Sequence, residues 1–248
     1  MSHKIKKIRL DLLLVDRGIC QTRERARALI MSGAVLVGES KLDKAGALVS
    51  PDAEIRIAGE DNPYVSRGGL KLKGALTAFN LKVKNLVALD VGASTGGFTD
   101  CLLQEGVRKV YAIDVGYGQL AWKLRTDERV VSLERTNIRY FEGVEIEDTI
   151  DLATIDASFI SLRLVIPAVV RLVKKKDAVI LALIKPQFEA GRDEVEKRGV
   201  IRDPAVHDKV IDGIKEFSVE LGLSVMGVCE SPLMGPKGNR EFFIFLKT

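Results

Sequence analysis

Lys185 follows directly on "ILALI", one of the most apolar runs in the chain, and Pro186 comes straight after it. A lysine there either snorkels from a strand end or is held in place for chemistry. Three other charged residues bear on that choice. Asp156 ends the run "IDLATID", Glu241 opens the last apolar run in "GNREFF", and Lys71 lies in "SRGGLKL", a helical segment ahead of the first long strand. Taken singly, each is an ordinary solvated end of an element. Together, two lysines and two acids offset one another's charge in a cleft where single buried charges would be costly. Such a set can hold a hydroxyl group and move or polarise its proton.

A second group suits a nucleoside. The run "LVALDVG" leaves Asp90 and then the turn "GASTGG", Gly92 to Gly97, whose glycines permit close backbone approach. Asp90 is expected to support that turn from the strand end, and Thr95 to Phe98 to open a helix. "KVYAIDVG" leaves Asp114 and Val115 about one strand–helix–strand step later, where a carboxylate can accept hydrogen bonds from ribose hydroxyls. The turn is not "GxGxxG" and lacks a P-loop lysine. It therefore specifies a generic nucleoside-cofactor site, with a ligand-free strand-to-helix turn as the alternative.

These residues need elements to carry them. "LVALDVG", "KVYAIDVG", "VVSLE", "IDLATIDAS" and "DAVILALIKP" are short, nearly continuous apolar runs separated by helix-length segments, as in a parallel sheet buried on both faces. A helical "DPAVHDKVIDGIKEFSVELG" precedes "LSVMGVCESP" and "NREFFIFLKT", a pair joined by the turn-rich "LMGPKG" and read as a hairpin. The expected fold is α/β, with a seven-stranded mixed sheet whose last strand is antiparallel. Ligands bind outside the carboxyl ends of such strands, and the start of the antiparallel strand lies on that same edge. Lys71, Asp156, Lys185 and Glu241 can then meet on one rim.

The first 58 residues read differently. "RLDLLLVDRG" sets Leu10, Leu13 and Leu14 on one helix face, Thr22 is placed to cap "RERARALIMSG", and "AVLVG" and "AEIRIAG" alternate as strands. Residues 59–63 are expected to be a linker, and 64–248 the larger domain. Arg23, Arg25 and Arg27, with nearby lysines, are expected to cover one helix face. Lys4, Lys6, Lys7 and Arg9 add to this basic end, although the net charge is only +4. The leucine-rich first helix, the arginine-rich second helix and the "GAVLVG" strand resemble the S4 RNA-binding domain. That resemblance implies an α+β unit lying against structured RNA through phosphates and shape, with Arg9, Arg23, Arg25, Arg27 and Lys41 as contacts.

Composition excludes other classes. With 46% hydrophobic and 29% charged residues, the chain has the makeup of a globular protein. Cys20, Cys101 and Cys229 are odd in number and far apart, which suggests neither a disulfide framework nor a zinc site. No signal-peptide pattern and no apolar run of about 18 residues is present, so the expectation is a cytoplasmic protein with no membrane partner.

In order along the chain, "VSRGGLKL", "LDVGASTGGFTD", "IDVGYGQL", "DASFISL", "LIKPQFE" and "KGNREFF" resemble the TlyA (haemolysin A) family, with an FtsJ-like, Rossmann-like S-adenosylmethionine-dependent methyltransferase domain behind an S4 domain. The resemblance implies 2′-O-methylation of a cytidine in ribosomal RNA of the large subunit, the small subunit or both. It implies S-adenosyl-L-methionine as cofactor and no metal, and ribosomal subunits as partner, with a monomer as the default state. It assigns a catalytic tetrad to Lys71, Asp156, Lys185 and Glu241. The cofactor site falls on Gly92, Ala93, Ser94, Thr95, Gly96 and Gly97, with Asp114 and Val115 beside it and Asn137 approaching from the third strand. General base and electrostatic stabiliser stay open for Lys185, since an ordinary lysine is almost wholly protonated near pH 7. Arg67 and Phe188 flank the tetrad lysines as candidate RNA contacts. Tyr117 and Trp122 either shape the adenine side of the pocket or pack in the core, and His207 faces no identified site. A membrane-lytic cytolysin and a non-catalytic RNA-binding protein are the rival readings.

Overall fold

The computed structural model describes residues 7–248 apart from 21, 39, 58–61, 192–193, 196–198 and 236. Lys4, Lys6 and residues 59–61 of the expected linker lie outside them. Contacts divide the chain into two units, Met1–Asp61 and Asn62–Thr248.

In the first unit β1 (Ile8–Arg9) leads into α1 (Leu10–Asp16), then α2 (Arg23–Met31), β2 (Val35–Val37), β3 (Ser40–Leu42), β4 (Leu48–Val49) and β5 (Ile55–Ile57). α1 buries Leu10, Leu13 and Leu14, and α2 buries Ala26 and Ile30 against them. Thr22 Oγ1 accepts the Arg25 N–H at 3.2 Å, and the chain leaves α2 through Gly33 at φ +71°. β2 lies between β3 and β5, antiparallel to both. The two-residue ladder of β1 with β4 is too short to leave a periodic signal in the sequence.

The arginines of α2 do not share one face. Residues 23 and 27 stand one turn apart, whereas residue 25 points about 200° away from Arg23. Accordingly Arg23 and Arg27 are exposed and Arg25 is half-buried.

The second unit runs α3 (Gly68–Ala78), β6 (Val87–Val91), α4 (Gly97–Gln104), β7 (Lys109–Ile113), α5 (Trp122–Arg125), β8 (Val130–Leu133), β9 (Leu152–Ile155), α6 (Leu162–Leu172), β10 (Val179–Ile184), α7 (Pro186–Glu189), α8 (Pro204–Glu220), β11 (Ser224–Glu230) and β12 (Phe242–Lys247). Its seven-stranded sheet has the order β11-β12-β10-β9-β6-β7-β8. β12 is antiparallel to both β10 and β11, while β6 through β10 run parallel.

The strand period of two divides the core between the faces. Val87, Leu89 and Val91 of β6, Ile180, Ala182 and Ile184 of β10, and Phe242, Ile244 and Leu246 of β12 pack with Val165, Ile166 and Val169 of α6 and Ile211 and Ile214 of α8. Ala88, Leu181, Leu183, Phe243 and Phe245 turn the other way, toward Leu72, Ala75 and Leu76 of α3 and Phe98 and Leu102 of α4. Both faces are covered, which explains why these strands read as continuous apolar runs.

Candidate active site

Register brings three charged residues to one edge. Val91 pairs with Ile155 and Ile184 with Phe242, so Asp156 and Lys185 lie one step past their strands and Glu241 one step before its own. α3 supplies Lys71 from its buried side, next to Leu72. Two glycines make room: a Cβ at Gly69 would run into the Tyr64 ring, and one at Gly235 into the Glu241 carboxylate.

The four residues form two ion pairs. Lys71 Nζ donates to Glu241 Oε2 at 2.6 Å, with side chains 10% and 1% exposed. Lys185 Nζ stands 2.6 Å from Asp156 Oδ1 and donates to Ser158 Oγ at 2.8 Å. Each buried lysine thus has its own carboxylate, as buried charges require.

Two cavities meet this cluster. One, of about 220 Å³, is lined by Ser66, Arg67, Gly68, Gly92 to Thr95, Gly97, Phe98 and Met234 together with Lys71 and Asp156. The other, of about 350 Å³, is lined by Ser158, Phe159, Gln187, Phe188, Lys237 and Asn239 together with Lys185 and Glu241. The tetrad therefore contributes two members to each cavity. In the second cavity Phe159 is exposed, with its ring 5.1 Å from that of Phe188.

The glycine turn has physical reasons for its composition. A Cβ on Gly92, at φ +84°, would sit 2.8 Å from the Asp156 carbonyl oxygen, and one on Gly97 would strike the Ser66 hydroxyl. The helix after the turn opens at Gly97, two residues later than the sequence suggests. Asp114 Oδ2 accepts the Ser94 N–H at 2.8 Å and Oδ1 the Gly116 N–H at 2.7 Å. Carboxylate oxygens carry two lone pairs each, so both remain able to accept from a ribose. Asp90 is fully buried; Thr99 of α4 donates to it at 2.6 Å and Thr154 of β9 at 3.0 Å. Burial raises its carboxyl to a pKa of about 6 despite those bonds. Asp90 thereby ties the helix behind the glycine turn to the neighbouring strand.

Other expected residues lie elsewhere. Gly96, Asp114, Val115 and Asn137 do not line the first cavity. Gly96 takes φ +95° and leaves the place of a Cβ to Leu120 and Leu124, and Val115 is 70% exposed. Asn137 Oδ1 caps the short turn Ile138–Tyr140 by accepting the Arg139 N–H. Tyr117 and Trp122 are exposed, not packed in the core, and Arg135 lies over the Tyr117 ring at 4.2 Å. His207 is buried on the inner side of α8, its Nε2 3.1 Å from the Ile201 carbonyl and its ring beside Phe242. Arg67 lines the first cavity and donates to the Met234 carbonyl at 3.4 Å.

In the first unit Arg9 and Arg23 are engaged inside the fold. Arg9 Nε and Nη2 donate to Asp11 at 3.0 and 3.1 Å and Arg23 Nε at 2.9 Å, while the Asp11 side chain has no exposed surface. Both guanidinium groups remain about half exposed. Lys41 is exposed and lies over Gly33, and Arg27 is exposed as well.

Sequence reading missed Ser66, Phe98, Met234, Ser158 and Phe159. Ser158 and Phe159 had a signal in "DASFISL", directly after an acid at a strand end. Met234 stood in a turn whose return path onto the rim only the hairpin reveals.

Comparison with known proteins adds independent findings. The FtsJ-like methyltransferase family profile matches residues 64–248, and the S4 domain profile residues 8–55. A Bacillus subtilis protein named "Putative rRNA methyltransferase YqxC" is 50% identical over 97% of this chain and 86% of its own length. The Mycobacterium tuberculosis "16S/23S rRNA (cytidine-2'-O)-methyltransferase TlyA" is 44% identical over 98% of this chain and 91% of its own. A solved structure titled "Putative hemolysin from Streptococcus thermophilus" is 44% identical, covers 98% of this chain and 89% of that one, and superposes with a TM-score of 0.77.

Proposed function

The chain belongs to the TlyA family, an FtsJ-like methyltransferase domain behind an S4 domain, and from that premise we propose that it methylates the 2′-hydroxyl of a cytidine ribose in ribosomal RNA. The target lies in the large-subunit RNA, the small-subunit RNA or both, and the protein acts as a monomer on ribosomal subunits in the cytoplasm, without a metal. The observation that carries this reading is the meeting of Lys71, Asp156, Lys185 and Glu241 between a glycine-lined cavity and a cavity floored by aromatic rings.

S-adenosyl-L-methionine fits the first cavity by its donor set. Gly92 and Gly97, held where Cβ atoms cannot go, let the cofactor approach the backbone closely, Phe98 and Met234 offer apolar walls, and Asp114, beside the cavity and not in its lining, can accept from ribose hydroxyls. When bound, the cofactor supplies an electrophilic methyl group on a sulfonium, so the protein's work is positioning and proton handling. Lys185 faces the second cavity and takes, or polarises, the proton of the ribose hydroxyl. Asp156 holds the Lys185 amine, while Lys71 and Glu241, locked together, set the charge of the wall and hold the ribose. The first unit grips RNA through Arg9, Arg23, Arg27 and Lys41, with Arg25 as a further contact, and Arg67 adds one from the second unit.

No helix among the described residues is long and apolar enough to cross a membrane, and the rim chemistry favours methyl transfer over the lytic activity that the word hemolysin suggests. The test is to incubate ribosomal subunits with the protein and labelled cofactor and map 2′-O-methyl groups on the RNA. A labelled cytidine is expected; label on a base, or none, would refute the reading.

A further inference from the structure

The loop after β9 is tied to the segment after β10 at successive points. Asp156 Oδ1 meets Lys185 Nζ at 2.6 Å, Ser158 Oγ accepts from that same Nζ at 2.8 Å, and the Phe159 ring packs at a tilt against that of Phe188. Glu189 then accepts from Ser161 Oγ at 2.6 Å and from the Leu162 N–H at 2.7 Å. Phe159 sits at φ +63°, a left-handed backbone that is costly for a bulky side chain. Such a conformation persists where its surroundings over-determine it, and ties on both sides of Phe159 provide that. Within the series Ser158 stands out. It is a short, exposed, uncharged residue whose hydroxyl meets the buried lysine.

An ammonium group has three donors in a fixed tetrahedral spread. Among the described residues Lys185 Nζ donates to Ser158 Oγ at 2.8 Å and to the Asp156 carbonyl at a long 3.4 Å, while Asp156 Oδ1, 2.6 Å away, is an ion-pair contact without a hydrogen bond. One partner alone would leave the amine free to turn about that contact; two at an angle fix its third direction. Resting on the methyl-transfer reading above, we infer that Ser158 is a positioning residue, which fixes the Lys185 amine so that its remaining direction serves the cavity shared with Phe159 and Phe188.

Ser158 also biases charge. A hydroxyl accepting from a cation makes a charge-assisted bond, stronger than the one it can donate to a neutral amine. Losing Ser158 therefore disfavours the cationic amine. Among the described residues, the other charged groups around this cluster are Asp156 at the end of β9, Lys71 on α3, Arg67 just before it, Glu241 before β12 and Lys237 in the hairpin turn. All of them stay in place when Ser158 is replaced.

The test uses the full-length protein, intact ribosomal subunits and S-adenosylmethionine, measuring single-turnover methyl transfer across pH for wild type, Ser158→Ala and Ser158→Thr. Ser158→Ala is expected to slow transfer about tenfold near neutral pH, with half-saturating cofactor and subunit concentrations within about twofold of wild type. The limb of the profile that rises with pH should move toward acid. Ser158→Thr, which keeps the hydroxyl, should return both quantities to near wild type. An unchanged rate and limb in Ser158→Ala, a loss confined to half-saturation, or no rescue by threonine would each overturn the role of Ser158. Failure of the wild type to methylate would instead refute the functional reading beneath it.

Discussion

Asp11 in the first unit and Asp90 in the second are both fully buried, yet the first is held by two arginines and the second by two threonines. The charged partners hold the Asp11 carboxyl down to a pKa of about 2, with the hydrogen bond from Arg9 the largest cause. Neutral partners leave desolvation in command at Asp90, which rises to about 6. The contrast follows from what each unit must present. The small unit keeps Arg9 and Arg23 half exposed and uses one buried acid to brace them both. The large unit holds its buried Asp90 with neutral partners alone and pairs Lys71 and Lys185 on the rim each with an acid of its own.

That division can be attacked first at the rim. Lys185→Ala should lower methyl transfer by at least about a thousandfold while cofactor binding, measured by calorimetry, stays near wild type. A comparable loss from any replacement in the first unit would erase the distinction between chemistry and grip.

Breaking the other pair tests burial instead of reactivity. Glu241→Ala leaves the Lys71 ammonium without its carboxylate and should cost about 3–5 kcal/mol of stability in denaturant titration. Lys185→Ala should cost much less, because Asp156, which it leaves behind, is partly open to solvent.

The two buried acids give opposite pH signatures. A carboxyl raised in the fold contributes stability that is complete below its unfolded value near 3.8 and is lost as pH climbs through about 6. Asp90 should therefore weaken the large unit by up to about 3 kcal/mol between pH 4 and 7, and Asp90→Asn should flatten that slope. Asp11, depressed in the fold, contributes stability present above about 3.8 and lost as pH falls through about 2. Hydrogen exchange resolved by residue and followed against pH should see the small unit open first in acid, with no such loss near neutrality.

The smallest effect belongs to the exposed cations. Arg27→Ala should weaken subunit binding by no more than about tenfold and reduce the salt slope by roughly one, leaving the single-turnover rate at saturation unchanged.

Much of this was legible because strands carry their own signal. Five apolar runs, each ended by a polar residue, located β6 to β10, and the hairpin logic placed Glu241 on the rim before any coordinates did. The pairing of charges was not legible. Register sets Glu241 beside Lys185, but the reach of Lys71 from α3 decides that Glu241 pairs with Lys71 and Asp156 with Lys185. Asp11 was unreadable for a similar reason: its partners come from β1 and α2, and nothing in "RLDLLL" announces a buried acid. Gly96 and Gly92 look alike in "GASTGG", yet one makes way for leucines and the other for the carbonyl of Asp156.

The account stands most directly on Lys185 acting in transfer and not in binding. Single-turnover methylation of ribosomal subunits by wild type and Lys185→Ala, with cofactor and subunit affinities measured on the same preparations, should show affinities within about threefold and transfer lost in the variant. Transfer by Lys185→Ala within tenfold of wild type, at equal affinity, would contradict it.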